Sequence, residues 1–230
     1  MTAASSVDRD RIAHRVQTIR ATLPPTTRLI AVTKKQPVAA IRAAYAAGVR
    51  DFGESRLQEA EAKQAALADY SDITWHLIGH LQSNKARKAL QQFQWIHSID
   101  SLKLAQRLDA LAADLGCQPR CCLQVKMVPD PPKTGFTLEE LWEALPTLAQ
   151  LVHLDIQGLM TIPPLNTDPE TTQEIFEAAR DLRDRINLQG LDHLHLTALS
   201  MGMSGDYPLA IAAGSTMVRL GTTLFGDRPA

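Results

Sequence analysis

Three stretches of this 230-residue chain hold residue types that could act together. Lys34-Lys35 puts two primary amines at the end of an apolar run. Ser200-Met201-Gly202-Met203-Ser204-Gly205 is a small-residue turn rich in hydroxyls and backbone N–H donors. Arg219-Leu220-Gly221-Thr222-Thr223 sets a guanidinium two residues ahead of a second glycine-hydroxyl turn. Glycine lets a backbone approach an anion closely, and hydroxyls with N–H groups at a helix start hold phosphate. A primary amine beside them can condense with an aldehyde on the same phosphate-anchored molecule. Taken singly, each stretch has an ordinary explanation: a solvated lysine, a plain turn, an arginine paired with a carboxylate. Their meaning depends on whether one end of a fold brings them together.

The elements that would position them alternate strictly. A helical stretch over 6–22 steps through Ile12, Val16, Ile19 and Leu23, and Pro24-Pro25 stops it. Apolar runs of strand type follow at 28–33, 49–52, 73–78, 95–99, 120–125, 154–160, 194–199 and 216–220. Between them lie helical patterns. Pro37 opens the first, which presents Val38, Ile41 and Tyr45 and ends near Gly48. Ser101 caps a face of Leu102, Ala105, Leu108, Leu111 and Leu115. Thr137-Leu138-Glu139-Glu140 is a capping box ahead of Leu141, Leu145 and Leu148. Asp168-Pro169 opens a helix carrying Ile175, Ala179, Leu182 and Ile186.

Alternation of this kind implies a parallel sheet with helices outside it. Eight strands in this length favour closure into a (β/α)8 TIM barrel over an open doubly wound sheet. No linker or low-complexity stretch divides the chain, so one domain over 1–230 is expected, with 1–27 as an N-terminal helical extension and 28–226 as the barrel. Barrel chemistry gathers at the C-terminal ends of the strands, and phosphate is often held after strands 7 and 8. The three stretches end strands 1, 7 and 8, so closure would bring them to one mouth. An amine beside a phosphate-anchored aldehyde is what a pyridoxal 5′-phosphate (PLP) protein requires. Period-2 alternation groups Lys34 with Ile30 and Val32, and Lys35 with Ala31 and Thr33; both faces are apolar, so the pattern does not choose between the two lysines.

Composition narrows the alternatives. A hydrophobic content of 45%, a charged content of 21% and a net charge of −1 describe a soluble globular chain without a footprint for nucleic acid or membrane. The N-terminal residues lack a basic start and a hydrophobic signal core, so the expected compartment is the cytoplasm. Cys117, Cys121 and Cys122 are odd in number and clustered; ordinary thiols are expected, with the adjacent pair facing opposite ways on a strand. His76 and His80 have the spacing of a helical zinc pair, yet lie on a strand pattern broken by Gly79, and His193 with His195 lacks a third ligand, so no metal is expected. The charge run from Arg180 to Arg185 reads as a solvated helix face.

At these residues the chain resembles the pyridoxal phosphate homeostasis protein family. The resemblance spans nearly its whole length: Ala31-Val32-Thr33-Lys34, Phe52-Gly53-Glu54, Gln58-Glu59, the run from Trp75 to Lys85, Lys133-Thr134-Gly135, Gly158 to Pro163, Leu199 to Ser204, and Gly214 to Thr222. It implies a barrel like the N-terminal domain of alanine racemase (PLP fold-type III) without that enzyme's second domain, and hence a monomer. It implies a Schiff base on Lys34, phosphate contacts from Ser200, Ser204, Gly221 and Thr222, and Arg219 facing the pyridine nitrogen. Met201, Gly202 and Asn84 complete the implied cofactor-binding set. Ser55 stands where many relatives have asparagine, so an amide contact from that position is not expected here.

Arginine donates hydrogen bonds and cannot accept them, so Arg219 would leave the ring nitrogen neutral and the cofactor a weaker electron sink. Racemisation also needs a second acid or base on the opposite face of the substrate. Of Tyr45, Tyr70 and Tyr207, only Tyr207 follows a strand end at the mouth, and a structural role suits it better. Lys133, after the Pro129-Asp130-Pro131-Pro132 stretch, would either assist PLP exchange at the rim or be a solvated loop lysine. The implied role is a PLP carrier or regulator in vitamin B6 and amino-acid homeostasis, without a catalytic residue. Its partners would be PLP-dependent apoenzymes or PLP-supplying enzymes. A slow PLP-dependent amino-acid racemase is the alternative, and a cofactor-free partner-binding barrel the third reading.

Overall fold

The computed structural model describes residues 7–130 and 133–226. The start of the first helical stretch at Ser6, the Pro131-Pro132 pair and the chain end at Ala230 lie outside the described residues. Helix α1 (Arg9–Thr22) is capped by the Asp8 side chain, which accepts from Arg11 N. Strand β1 (Arg28–Val32) leads to α2 (Val38–Ala46), and β2 (Asp51–Glu54) to α3 (Leu57–Ala66). Next come β3 (Thr74–Leu77), a 3-10 turn at Ser83–Lys85 and α4 (Ala86–Gln92), then β4 (Trp95–Ile99) and α5 (Leu102–Leu115). β5 (Arg120–Gln124) precedes α6 (Leu138–Leu148), and β6 (Asp155–Met160) precedes α7 (Pro169–Asn187). β7 (Ala198–Ser200), α8 (Tyr207–Ala212), β8 (Met217–Leu220) and α9 (Thr222–Phe225) end the described chain.

The strands pair in parallel and in sequence order, and β8 returns to β1, so the sheet closes into the expected barrel. Local signals set the helix starts as read. Ser101 accepts from Leu104 N, Thr137 and Glu140 form both halves of a capping box, and Asp168 accepts from Thr171 N. Pleating sorts side chains into two apolar cores. A small cluster inside the barrel holds Ile30, Trp95, Cys122, Met160, Ala198 and Met217. A larger one between strands and helices includes Ala31, Phe52, Leu77, Ile96 and Cys121. Neighbouring Cys121 and Cys122 thus fall in different cores, both as free thiols. Burial pushes the Cys122 thiol up to about 12, so it is protonated packing rather than a nucleophile.

Two strands differ from the sequence reading by more than one residue at an end. The second begins at Asp51 rather than 49, because Gly48 turns with φ +95 and leaves Val49 packed under α2 through a bond from its N–H to Ala44 O. The seventh is cut to Ala198–Ser200. Asn187 accepts from Leu196 N and donates to Leu196 O, each at 2.8 Å, and so occupies the backbone groups a longer ladder would use. Helix α9 is an additional element.

Gly158 shows how tightly the barrel is drawn: a Cβ there would lie 1.9 Å from Ala198 O on β7. Gly158→Ala must push two paired strands apart and is expected to cost about 2–3 kcal/mol or more. Gly190→Ala, where φ is +61 and nothing lies within 4 Å, should cost about 1–2 kcal/mol through backbone strain alone. Urea unfolding of the two variants checks this order.

Candidate functional site at the barrel mouth

The end of β1 is clamped from below. Lys63 Nζ donates to Thr33 O at 2.7 Å and also pairs with Glu54 (2.7 Å) and Glu59 (2.6 Å). Thr33 Oγ1 donates to Glu54 Oε1 at 2.5 Å, and Lys35 N donates to Glu59 Oε1 at 2.5 Å. The carbonyl before Lys34 and the amide after it are therefore both held by side chains of α3, with Glu54 of β2 bracing Lys63 and the Thr33 hydroxyl. Lys35 adopts φ +62, a costly conformation for a non-glycine residue, and this clamp over-determines it. Lys35 is exposed and Lys34 is half-buried. Ile30, of the same parity as Lys34, lies in the inner cluster, whereas Ala31 lies in the outer one. Burial raises the Glu54 carboxyl above its ordinary range despite Lys63 and Thr33. Burial opposes the charge on Glu59 too, but there Lys63 and the Lys35 N–H prevail and its carboxyl falls.

On the other flank of β1 from β2 lie the turns after β7 and β8. Gly202 has φ +94, and a Cβ there would come within 2.6 Å of Ala210 Cβ, so only glycine fits. Its carbonyl accepts from Arg219 N at 2.9 Å, tying the first turn to β8. Met201 is buried and donates from its N–H to Met217 O at 3.1 Å. Ser204 Oγ receives Gly221 N at 3.2 Å and Thr223 N at 3.3 Å, so N–H groups of the last turn converge on one hydroxyl. Thr222 is exposed beside them. A Cβ on Gly221 would lie 3.6 Å from Val32 Cβ, which puts this turn next to the strand that ends in Lys34.

Arg219 is 4% exposed. Its Nη1 donates to Ser200 O (2.6 Å) and Ser200 Oγ (2.7 Å), and its Nη2 to Thr161 O (3.2 Å). Among the described residues no carboxylate forms an ion pair with it. Burial pushes its pKa down to about 10, with Asp206 opposing the fall, so it stays charged at neutral pH. Beneath it runs a polar thread that the sequence reading missed. His97 Nδ1 lies 2.8 Å from Ser200 Oγ, His97 Nε2 lies 2.9 Å from His76 Nδ1, and His76 Nε2 lies 3.0 Å from Asp51 Oδ1. Burial lowers the pKa of His97 well below its ordinary value; it lowers His76 too, with Asp51 opposing. A signal for this pair existed: Trp75-His76 and Trp95-Ile96-His97 put a histidine on each of two strand patterns.

The remaining candidates separate. Asn84 is exposed in the 3-10 turn after β3, and no hydrogen bond among the described residues joins it to Ser200 or Arg219. Gly79 packs against the Ser55 backbone, with a Cβ there falling 2.3 Å from Ser55 O. His80 is on the surface with Asp100 (2.9 Å), away from buried His76. Lys133 pairs with Asp130 at 2.9 Å and donates to Pro163 O at 2.7 Å, so it ties two rim loops together rather than standing in solvent. Tyr45 meets Tyr70 edge to face, with ring centroids 4.5 Å apart, and bonds Asp72, which precedes β3 at the opposite end of the barrel. Tyr207 opens α8 beside Gly202.

The closed barrel, with an amine, paired turns and a buried arginine at its mouth, is of the alanine racemase type. A family model described as the alanine racemase N-terminal domain matches residues 7–229. A pyridoxal phosphate homeostasis protein from Synechocystis sp. is 57% identical over 210 residues, covering 91% of this chain and 95% of that protein. One from Pseudomonas aeruginosa is 46% identical over 206 residues, with 89% and 86% covered. The solved structure of PipY from Synechococcus elongatus PCC7942, with PLP bound, matches with a TM-score of 0.90 at 54% identity, covering 94% of this chain and 100% of that one. Alanine racemase from Corynebacterium glutamicum shares the fold, with a TM-score of 0.77 at 19% identity over 97% of this chain and 63% of that one. The chain belongs to the pyridoxal phosphate homeostasis protein family. Among the described residues no helix is long and apolar enough to cross a membrane.

The two buried imidazoles give a pH dependence. Their folded pKa values lie below the unfolded value of about 6.5, so the unfolded chain binds more protons in acid. Their contribution is complete above that pH and is lost beneath it, at up to about 1.4 kcal/mol per pH unit for each imidazole. Glu54 acts oppositely, because its raised pKa favours the folded state as pH falls toward the carboxylate range. Urea unfolding between about pH 7 and pH 5 should show wild type losing stability more steeply than His97→Gln; equal slopes would mean that the buried ring is not held neutral.

Proposed function

We propose that the barrel mouth holds PLP, attached at Lys34 Nζ, and that the protein serves PLP homeostasis by keeping the reactive aldehyde sequestered. Bound PLP supplies an aldehyde carbon that a primary amine holds covalently and reversibly. The observation that carries the reading is the convergence of the Gly221 and Thr223 N–H groups on Ser204, next to buried Arg219 and to the strand that delivers Lys34. That donor set fits a phosphate: two backbone N–H groups aim at one point, glycines allow close approach, and a guanidinium that makes no carboxylate ion pair among the described residues lies nearby.

In this reading Ser204, Gly221 and Thr222 take the phosphate, with Met201 and Gly202 shaping the turn. Arg219 faces the ring nitrogen, where it can only donate. The clamp of Glu54, Glu59 and Lys63 fixes the backbone on both sides of Lys34, so the amine is presented without a search of backbone conformations. Asn84 would contact the cofactor from the turn after β3. Holding rather than turnover is favoured because Tyr45 and Tyr70 sit at the far end of the barrel and Arg219 gives weak electron withdrawal. We further propose a single-domain cytoplasmic monomer that yields PLP to PLP-dependent apoenzymes.

The test is the absorption spectrum of purified wild type, Lys34→Ala and Lys35→Ala with PLP, followed by borohydride reduction and peptide mapping. A visible band in wild type and Lys35→Ala, absent in Lys34→Ala and trapped on Lys34, is expected. No band in wild type, or an adduct that maps to Lys35, would overturn the assignment.

A further inference from the structure

With both buried imidazoles neutral, the polar thread under Arg219 has one consistent arrangement of protons. A guanidinium is donor-only, so Ser200 Oγ must accept from Arg219 Nη1 at 2.7 Å. A hydroxyl oxygen can accept twice, so the direction of its second bond, to His97 Nδ1 at 2.8 Å, is set from the far end of the thread. A neutral imidazole has one N–H and one lone-pair nitrogen. His76 Nε2 faces the carboxylate oxygen Asp51 Oδ1 at 3.0 Å and donates to it, so neutral His76 accepts at Nδ1 from His97 Nε2–H at 2.9 Å, and neutral His97 accepts the Ser200 hydroxyl hydrogen at Nδ1. Asp51, also met by Arg28 Nη1 at 3.3 Å, is acceptor-only when ionised. With both rings neutral, the acceptor at the Asp51 end sets one direction throughout, and it is compatible with the donor-only Arg219 at the other end. Ser200, His97 and His76 are all fully buried, so no water competes for these bonds. A proton added to either ring would leave a hydrogen on His97 Nδ1, make Ser200 Oγ an acceptor there too, and release the hydroxyl hydrogen.

We infer that Ser200 is a positioning residue for Arg219 rather than a phosphate ligand. The one-way chain Arg219–Ser200–His97–His76–Asp51 turns the Ser200 hydroxyl hydrogen into the barrel and away from the mouth. Phosphate is left to Ser204 and to the Gly221–Thr223 N–H groups. Ser200, which ends β7, differs from Ser204 in this respect: Ser204 Oγ accepts two backbone N–H groups and keeps its own hydrogen for a ligand. The inference rests on the proposal that this mouth binds PLP, but its first half concerns the chain itself and can be read without any cofactor.

Two measurements test it. Nitrogen-15 long-range correlation spectra of the cofactor-free protein at neutral pH should show His76 and His97 both neutral and both in the Nε2–H form. A charged ring, or His97 in the Nδ1–H form, would overturn the chain whether or not PLP binds. Dissociation constants of PLP and of pyridoxal, which lacks the phosphate, are then compared in wild type, Ser200→Ala and Ser204→Ala. A positioning role predicts that Ser200→Ala weakens both ligands by the same factor, about fivefold for one lost hydrogen bond. Ser204→Ala should weaken PLP and spare pyridoxal. A loss confined to PLP in Ser200→Ala would make Ser200 a phosphate ligand, and no change with either ligand would remove its positioning role. If wild type binds neither, the PLP reading of the mouth fails while the tautomers still decide the chain.

Discussion

Parallel pairing of β1 with β8 closes the sheet, with Ile30 opposite Arg219 and Ala31 opposite Leu220, and everything at the mouth follows from that register. It sets Val32 against the Gly221 turn and so carries Lys34 to the rim where the β7 and β8 turns meet. Without closure the amine and the N–H groups would sit on opposite edges of an open sheet. The contact is highly non-local and forms against a loop-closure entropy that grows only slowly with length. Closure also removes both sheet edges, which would otherwise be left unpaired.

The closed barrel has an interior to fill, and this one fills it with a mixture. Apolar Ile30, Trp95, Cys122, Met160, Ala198 and Met217 share the space with His76, His97, Ser200 and Arg219. Buried polar groups are costly unless each finds a partner. Here the bonds run without a gap from Asp51 at the start of β2 to Arg219 near the end of β8. The polar interior thus stiffens the mouth from within, while Lys63, Glu54 and Glu59 stiffen its rim at Lys34. One set of contacts orients the guanidinium and the other presents the amine.

Local features were legible in the sequence. The helix starts at Ser101, Thr137 and Asp168 depend on side chains three residues from the N–H groups they accept. The opposite faces of Cys121 and Cys122 followed from strand periodicity alone. The start of β2 and the length of β7 were misjudged because they depend on non-local effects: the Gly48 turn and the hold of Asn187 on Leu196. Spacing drew attention to His76 with His80, whereas the meaningful partner is His97, twenty-one residues away on the neighbouring strand. Which of Lys34 and Lys35 is half-buried was not legible from the run of apolar residues, since inner and outer faces are both buried in a barrel. The clamp on Lys34 likewise joins Thr33 to Glu54 through the pairing of β1 with β2 and draws in Lys63 from α3, although Glu59 and Lys63 are one helical turn apart.

The most direct test is a crystal structure of the protein loaded with PLP. The expected result is continuous density from Lys34 Nζ to the aldehyde carbon, with the phosphate on the Gly221 and Thr223 N–H groups and Ser204. Ser200 should still lie between Arg219 and His97. Cofactor density away from the mouth, or joined to Lys35 or Lys133 with Lys34 unattached, would contradict the proposal that the closed barrel is built to hold PLP at Lys34.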